Sequence, residues 1–479
     1  LRALGTAGTT EFAIGGLFDN RNGVLETANN DLTLNAGSFQ NLGGNVLHVG
    51  TGNFGIAPAN LNDVGGSLVT RGDLTITQGN WTNSSVIQAG QLTVNVDNLD
   101  QTATGQLLGA RRFIGNGANW TTHGLIASDG ALDLTLSGAL NGSGRISSLG
   151  TLNLSAAQAT LSDTASIAGG GVTTANIAGT LNNRGRLTAA TDLVVNAGTL
   201  NNYATLGSGQ RLVATTGALL NDHGLIFSGG DMSLRVDALH NSYADLYSLG
   251  NLSVDRDGKG GLASSILNSS STIQSDGNLS LSANSIKNER AVLTVNDAGV
   301  YTASATLGTC IEYVNAGDCH AGGTPRNYVW ELVTRDKLEV TAASAGSSIT
   351  SGGNMTLAGG DLLNSSSSIA AGGNFTARLN NLVNTGIETG ETETYRLFTS
   401  KRTKHPEGWF SAAAALTNKY WYKSAGYNPN DLGGLEATVA NFIGMMEIER
   451  TQFGKVTKIA SDDQRYAAVI QAGGAVDVK

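Results

Sequence analysis

A unit of about 20 residues recurs along most of this 479-residue chain. One copy spans residues 181–199, LNNRGRLTAATDLVVNAGT, and the next two copies begin at Leu200 and Leu220. Each copy has an apolar residue, a short Asn/Gly turn, a second apolar residue and a run in which apolar and polar residues alternate. A regular period of this length is the sequence signature of a solenoid, in which each repeat packs only on its neighbours.

The alternating runs predict β-strands rather than helices. Runs such as Asp31-Leu32-Thr33-Leu34 and Asp133-Leu134-Thr135-Leu136 place an apolar residue at every second position, which is the period of a half-buried strand. No segment keeps the apolar spacing of a helix over a dozen residues, and the spacing of a leucine-rich repeat does not recur. We therefore predict an all-β fold, a right-handed parallel β-helix with coils of about 20 residues.

Equivalent positions in successive coils should form rows along such a solenoid. We expect the first apolar residue of each repeat to point inward, and the Asn that follows it to bond from coil to coil through its amide. The predicted inward row consists of Leu61, Trp81, Leu99, Trp120, Leu140, Leu161, Leu181, Leu200 and Leu220. The predicted Asn row consists of Asn62, Asn141, Asn182, Asn201, Asn221 and Asn268.

Interruptions of the repeat predict the domain organisation. The charged, Gly-rich segment DRDGKGG at 255–261 should form a surface loop extruded from one turn. Two longer segments lose the repeat, and we expect the second of them to include helices near 409–416 and 435–443. The predicted parts are a β-helix over 1–289, an extrahelical hairpin over 290–337, further coils over 338–386, a partly helical insertion over 387–468, and the resumed β-helix over 469–479.

Composition excludes several classes of function. The net charge of −9 gives no reason to expect a nucleic-acid partner or an anionic membrane surface. No run of 18 apolar residues is present, so no membrane span is predicted. The chain begins Leu1-Arg2-Ala3 without an initiator Met or a signal peptide, and we interpret it as a monomeric piece of a longer protein.

The two cysteines, Cys310 and Cys319, lie in the segment CIEYVNAGDC. A zinc site would need two further ligands, and only His320 is near in sequence. We favour a disulfide that closes a short loop over two free thiols, and such a bond would imply an oxidising compartment. No metal or other cofactor is predicted.

The insertion at 387–468 is the best candidate for a partner-binding surface. Between Tyr395 and Lys423 there are six Lys or Arg residues against one acid, Glu407, with aromatic residues between them. Aromatic rings and cations together are typical of recognition surfaces, and they also suit anionic sugars or phosphates. Alternatively, the aromatic residues form the small core of a lid, and we expect about half of them to do so. The candidate residues are Arg396, Phe398, Lys401, Arg402, Lys404, His405, Trp409, Phe410, Lys419, Tyr420, Trp421, Tyr422 and Lys423.

Three short matches within the repeats are interpreted as structural. Arg71-Gly72-Asp73 fits an integrin-binding tripeptide and Asn80-Trp81-Thr82 a glycosylation sequon, but both fall on the repeat pattern. His123 and His223 occupy turn positions and are expected to be solvated rather than metal ligands.

The Leu-Asn-Asn/Gly…Gly-Asn-Leu-Thr-Leu pattern resembles the haemagglutinin repeats of filamentous-haemagglutinin-like exoproteins, the secreted partners of two-partner secretion systems. The resemblance covers roughly residues 18–289, 338–386 and 469–479. The interrupted region resembles the receptor-binding region of contact-dependent growth-inhibition proteins of the CdiA type. The family's secretion and toxin domains have no counterpart in these residues.

This resemblance implies a fragment of a secreted filament on the bacterial cell surface, exported by an outer-membrane transporter. It also implies that a receptor-binding region meets an outer-membrane receptor, protein or lipopolysaccharide, of a neighbouring bacterium for toxin delivery. One alternative is an adhesin or biofilm filament with a purely structural rod. Another is a polysaccharide-active enzyme, but that chemistry needs convergent carboxylates, and the acids of the repeats lie singly in turns. We therefore predict no catalytic residues and no enzyme activity.

Overall fold

The computed structural model describes residues 1–57, 60–61, 64–308, 328–400, 412, 415–444 and 450–479. The chain divides into two compact units, each built from separate stretches of sequence. The first unit, the solenoid, comprises Leu1–Ala291, Ala345–Thr385 and Ala468–Lys479. The second unit comprises Val292–Ser344 and Gly386–Ala467.

The first unit is a parallel β-solenoid of about 18 turns, which confirms the predicted all-β solenoid. Each coil has three faces, and strands of successive coils pair in parallel on each face, as Arg186 does with Thr205 and Leu193 with Leu212. Strands confined to the first face are Arg2–Ala3, Val24–Thr27, Asn45–His48, Ser67–Thr70, Leu125–Ser128, Arg145–Ser148, Ser166–Gly169, Arg186–Ala189, Thr205–Ser208, Leu225–Ser228, Asp245–Ser248, Thr272–Ser275, Ser348–Ser351, Ser368–Ala371 and Val469–Ala472.

Most other strands bend and run over two faces of a coil. Those that cover the second and third faces are Thr9–Asp19, Asp31–Gln40, Asp73–Asn83, Thr173–Asn183, Leu193–Asn202, Leu212–Asp222, Met232–Ser242, Leu279–Glu289 and Met355–Ser365. Val86–Gln101 covers all three faces, and Gln106–Gly117 covers the first two. Short second-face strands are Phe54–Ile56, Ala131–Leu136, Leu152–Ala156, Leu252–Asp255, Phe375–Arg378 and Val476–Val478. Short third-face strands are Asn119–Thr122, Ala139–Gly142, Gln158–Leu161, Ala263–Ser269 and Asn381–Thr385.

The predicted inward row is buried from Leu61 to Leu200, but its last member is wrong. Leu219, not Leu220, stacks on Leu200 and is 1% exposed, whereas Leu220 pairs with the outward Asn201. Leu219 and Asn221 keep the spacing of Leu200 and Asn202, and Leu220 takes the outer place that Asn201 has in the preceding coil. Leu161 is buried at the position of Asn183 in the next coil, and Ala159 takes the place in the leucine row.

The predicted Asn row mixes two rows that the structure separates. Asn182 and Asn201 lie in an outer, half-buried row and bond to each other at 2.8 Å. Asn221 and Asn268 belong to an inner row that is fully buried from Asn183 to Asn364 and exposed at its last member, Asn384. The inner row, which we call the asparagine ladder, consists of Asn183, Asn202, Asn221, Asn241, Asn268, Asn288, Asn364 and Asn384. In each step the Nδ2 amide donates to Oδ1 of the next rung at 2.7–2.9 Å.

The solenoid continues its stacking where the chain leaves it and returns. Thr272–Ser275 pairs in parallel with Ser348–Ser351, and Ser368–Ala371 pairs with Val469–Ala472. The Ser270 hydroxyl joins both ends of the first departure, because it accepts from the Ala291 amide and donates to the Ala345 carbonyl, each at 2.9 Å. The coils before and after each departure therefore stack directly on each other, and the departures interrupt the sequence of the solenoid but not its stacking.

The second unit contains a four-stranded antiparallel sheet with the strand order Leu293–Gly308, Tyr328–Ala343, Thr389–Ser400 and Arg450–Asp463. Its two halves come from the two interruptions of the repeat, which join through pairing of the two central strands. The strand Tyr328–Ala343 extends past residue 338, where we expected the solenoid to resume. The predicted helix near 435–443 is present as Leu435–Gly444, residues 415–420 are also helical, and Gln464–Tyr466 form a 3-10 turn.

One side of this sheet carries the core of the second unit. Ala303 and Leu332 of the sheet pack with residues of the helical segments, and all are at most 8% exposed. The helical segments and the loop between them supply Leu416, Tyr420, Leu432, Leu435 and Val439. The second unit therefore has a core of its own, separate from that of the solenoid.

Candidate partner-binding surface

Arg396 holds a helix of the second unit against the sheet. Its guanidinium donates to both carboxylate oxygens of Glu436, at 2.8 and 2.7 Å, and the arginine side chain is 14% exposed. These hydrogen bonds lower the pKa of Glu436. A fork-to-fork pair of this kind is the strongest arrangement between these groups, so the charge of Arg396 is already used within the unit.

Tyr420 is part of the core of the second unit. Its ring is fully buried, and its hydroxyl donates to the Gly433 carbonyl at 2.9 Å. Lys419 lies beside it, with Nζ 3.2 Å from the same carbonyl and 5.2 Å from the centre of the Tyr420 ring. Tyr420 therefore supports the fold, as expected for a share of these aromatic residues.

Tyr422 and Lys423 form the exposed part of the candidate surface that the structure describes. Tyr422 is 52% exposed, and the Lys423 ammonium lies 5.3 Å from the centre of its ring. Trp421 is half-buried beside them, and its carbonyl accepts from the Ser424 hydroxyl at 2.8 Å. Lys419, Trp421, Tyr422 and Lys423 thus lie together along one short segment.

Other predicted members are only partly covered by the structure. The backbone of Phe398 pairs with Trp330 and Gln452 inside the sheet. Six further candidates fall outside the described residues, and so do both cysteines of the predicted disulfide. These candidates are Lys401, Arg402, Lys404, His405, Trp409 and Phe410; the cysteines are Cys310 and Cys319.

A row of acids, tyrosines and one arginine crosses the sheet and was not predicted. Tyr395 donates to Glu331 at 3.0 Å, and Tyr301 donates to Glu391 at 2.9 Å. Arg335 bonds Glu393 at 3.1 Å, which raises the pKa of the arginine. Burial and then the bond to Glu391 raise the pKa of Tyr301. The signal was the alternation of Glu391, Glu393 and Tyr395, which places three polar side chains on one side of a strand.

The solenoid positions with short motif matches are held by packing. A Cβ on Gly72 would lie 1.7 Å from the Gly52 carbonyl oxygen, and Asp73 accepts from the Gln91 amide at 3.2 Å. The tripeptide at 71–73 is therefore a stacked turn. His123 bonds Ser143, and His223 bonds Asp222 at 2.7 Å.

Among the described residues, no group of three or more His, Cys, Asp or Glu side chains could hold a metal ion. Within the same residues, no helix is long and apolar enough to cross a membrane.

Comparison with known proteins supports a haemagglutinin-repeat assignment. The family model described as "Haemagglutinin repeat" matches residues 5–55, 247–309 and 314–418. This match is to a repeat and not to a catalytic domain. No solved structure gives a significant match.

Two curated proteins are similar to the chain. A protein named "Deoxyribonuclease CdiA" from Dickeya dadantii (strain 3937) is 26% identical over 520 aligned residues, which cover 98% of this chain and 14% of that protein. A protein named "Toxin CdiA" from Escherichia coli is 30% identical over 241 residues, or 41% of this chain and 8% of that protein. The chain thus spans only a small part of the length of these relatives.

Proposed function

We propose that this chain is part of a filamentous haemagglutinin-like protein of the CdiA type and that its second unit is a receptor-binding region. In this proposal the solenoid is a stretch of a secreted cell-surface filament. The second unit recognises an outer-membrane receptor of a neighbouring bacterium, either a protein or lipopolysaccharide. The complete protein uses this contact for growth inhibition by toxin delivery, and an outer-membrane transporter exports it.

The continuity of the solenoid across both departures is the observation that supports this proposal most. Ser348–Ser351 stacks on Thr272–Ser275 although the second unit's first segment separates them in sequence. The chain therefore devotes more than a hundred residues to a unit that the solenoid does not need for its own pairing. A compact unit attached to a structural repeat is where recognition is expected, because function resides in sites added to a scaffold.

The exposed side chains of the second unit fit a recognition role. Tyr422 and Lys423 combine an aromatic ring with a cation at the surface. Tyrosine and long cationic side chains supply large contact areas with a polar end. The row of Glu331, Glu391 and Glu393 adds acidic groups on the sheet. A surface with both signs of charge favours specificity by electrostatic complementarity.

The test is excision of the second unit from the full chain. A short linker would join Ala291 to Ala345 and Thr385 to Ala468, since Ser270 holds the first pair together and Asn384 bonds Ala468 at 3.2 Å. The labelled wild-type chain should bind live target bacteria in flow cytometry, and the excised variant should lose that binding. Protease-treated target cells and cells with truncated lipopolysaccharide would separate the two receptor classes.

The excised variant needs proof that its solenoid remains intact. Its far-UV circular dichroism should keep the parallel-strand signal of the wild type. If an intact excised variant binds target cells as well as the wild type does, the receptor-binding proposal is wrong. That outcome would favour the alternative of an adhesive filament whose solenoid itself carries the contact.

A further inference from the structure

A groove on the second face of the solenoid, well separated in sequence from the second unit's recognition residues, has the features of a ligand site. Its volume is about 530 Å³, and it runs over five successive coils. Since stacked strands lie about 4.8 Å apart, the groove is roughly 19 Å long. Its floor is a row of small hydroxyl side chains, formed by Ser233, Ser253, Ser280 and Thr356.

A row of amides and carboxylates borders the floor on one side. Asp231 Oδ1 accepts from the Asn251 amide at 2.8 Å, and Asn251 and Asn278 repeat this bond to the following coil at 2.9 Å. The Oδ1 atoms are therefore occupied, while the side chains themselves are exposed. The Asn251 Nδ2 amide also donates to Asp231 Oδ1, at 3.1 Å. The asparagine side chains and the serine hydroxyls thus line a polar trough without aromatic rings.

Within the part of the chain that the structure describes, Arg235 is the one cation lining the groove that has no counter-ion. Its Nε atom is buried and has no hydrogen-bond partner, and its guanidinium makes no ion pair with any residue that the structure describes. Arg211, the other arginine of the groove, already pairs with Asp192 at 3.2 Å. Burying a charged group without a partner costs free energy. An anionic ligand that pairs with Arg235 would offset this cost.

The loop extruded at 256–262 holds Arg235 in place. Asp255 is 7% exposed and accepts from the amides of Asp257 and Gly260, so the loop has a defined shape. Gly258, at φ +75°, lies against the guanidinium, where a Cβ would be 2.6 Å from Nε. The loop that breaks the repeat is thus folded over this arginine.

We propose that this groove binds an extended acidic glycan, with a carboxylate or phosphodiester group paired to Arg235. An open trough over five coils suits a linear polymer, and hydroxyl and amide groups suit sugar hydroxyls. A single free guanidinium suits widely spaced negative charges. A densely sulfated polymer or a nucleic acid would need several free cations.

The experiment titrates the full chain with defined oligosaccharides in a calorimeter. One arm uses oligogalacturonate and alginate oligomers, a second uses phosphodiester-linked mannan, and a third uses the carboxyl-reduced oligomers. Arg235→Gln should weaken binding of the acidic probe roughly ten- to a hundredfold, because one charge-assisted pair is lost. Affinity for the reduced oligomers should not depend on Arg235. Whichever acidic arm binds identifies the source of the charge.

Two further variants keep the test specific. Arg211→Gln removes a cation that is already paired, and it should change affinity by less than about threefold. Ser253→Phe fills the floor from an outward, half-buried position and should abolish binding of the acidic probe while leaving the melting temperature unchanged. The proposal is overturned if no acidic oligomer binds at millimolar concentration, or if Arg235→Gln and Arg211→Gln weaken binding equally.

Discussion

Asn202, Asn221 and Asn241 are fully buried amides, and each donates to the next coil of the solenoid. An unpaired buried amide is costly, whereas an exposed one can bond water. We therefore expect substitutions in the inner asparagine row to lower the stability of the solenoid more than substitutions in the outer row. The outer Asn201 also bonds its neighbour, yet it is only half-buried.

Asn221→Ala should lower the free energy of unfolding of the solenoid by about 2–4 kcal/mol, because it creates a small void and leaves Asn241 Oδ1 without a donor. Asn201→Ala, one coil away in the outer row, should cost less than about 1 kcal/mol. Urea unfolding monitored by circular dichroism measures both. Equal effects of the two substitutions would contradict the importance of the buried row.

The bond between Arg396 and Glu436 predicts a pH dependence in the second unit. The pKa of Glu436 is lowered in the folded state, so the stabilisation is complete above the ordinary glutamate pKa and is lost as pH falls through the lowered value. Protection of the amides of Leu435–Gly444 from hydrogen exchange, corrected for intrinsic rates, should decrease below about pH 4.

Glu436→Gln is the control for that experiment. It should lower protection modestly at neutral pH, since Glu436 is 71% exposed. It should also remove the additional loss in acid. Persistence of the acid-induced loss in Glu436→Gln would assign the effect to other groups.

Single-residue assignments show where sequence patterns stop being informative. The pattern Leu-Asn-Asn placed Leu181 and Leu200 correctly, but it offered two asparagines per coil and did not reveal which one faces inward. The pairing register shifts by one residue between Ile177 and Thr180, because the next coil is one residue shorter there. Leu181 and Asn183 are buried and Asn182 is only half-buried, so the inner rung is Asn183.

Within a single strand, glycine positions differ in how closely the neighbouring coil approaches. Gly79 lies in the strand Asp73–Asn83, and nothing is within 4 Å of the place where its Cβ would be. Gly72 directly precedes the same strand, and its added Cβ would overlap the Gly52 carbonyl at 1.7 Å. Backbone of the adjacent coil cannot move aside without breaking its own pairing.

Gly72→Ala should therefore destabilise the solenoid by roughly 2–4 kcal/mol, as expected for overpacking against backbone. Gly79→Ala should be neutral or slightly stabilising, because alanine reduces the freedom of the unfolded chain. Thermal unfolding of the two variants provides the comparison. A tolerated Gly72→Ala would mean that the coils separate more readily than their hydrogen bonds indicate.

Pairing between the two interruptions of the repeat is the part of the element arrangement that the sequence did not reveal. The alternation predicted a hairpin over 290–337 and a two-stranded stem formed by 391–398 and 447–456, and the stem pairing is present in the sheet. The pairing of Val333 with Tyr395 joins segments about sixty residues apart, and no local pattern records such a partner. Tyr420 is buried because it belongs to the core cluster on this sheet, which also contains Leu332. Its burial therefore depends on the same long-range pairing.

For the whole molecule, nearest-neighbour packing implies that stability accumulates coil by coil. Every coil pairs only with the coils before and after it. A fragment of residues 64–291 should therefore fold alone and unfold cooperatively. Its urea m-value should be smaller than that of the complete solenoid, roughly in proportion to the smaller surface that it exposes on unfolding. A fragment that remains unfolded would show that the solenoid needs residues outside this range.

The asparagine ladder also gives the solenoid a direction of growth. Each Nδ2 donates toward the C-terminal side, and Asn183, the first rung, keeps an Oδ1 without a partner because Leu161 occupies the preceding place. Along the ladder, from Asn183 to Asn364, each formed coil thus presents a polarised donor to the coil that follows it. If the polypeptide enters its final compartment N-terminus first, each coil of the ladder can fold onto the coil before it. Folding of this part of the solenoid would then proceed in one direction, from the N-terminal to the C-terminal side.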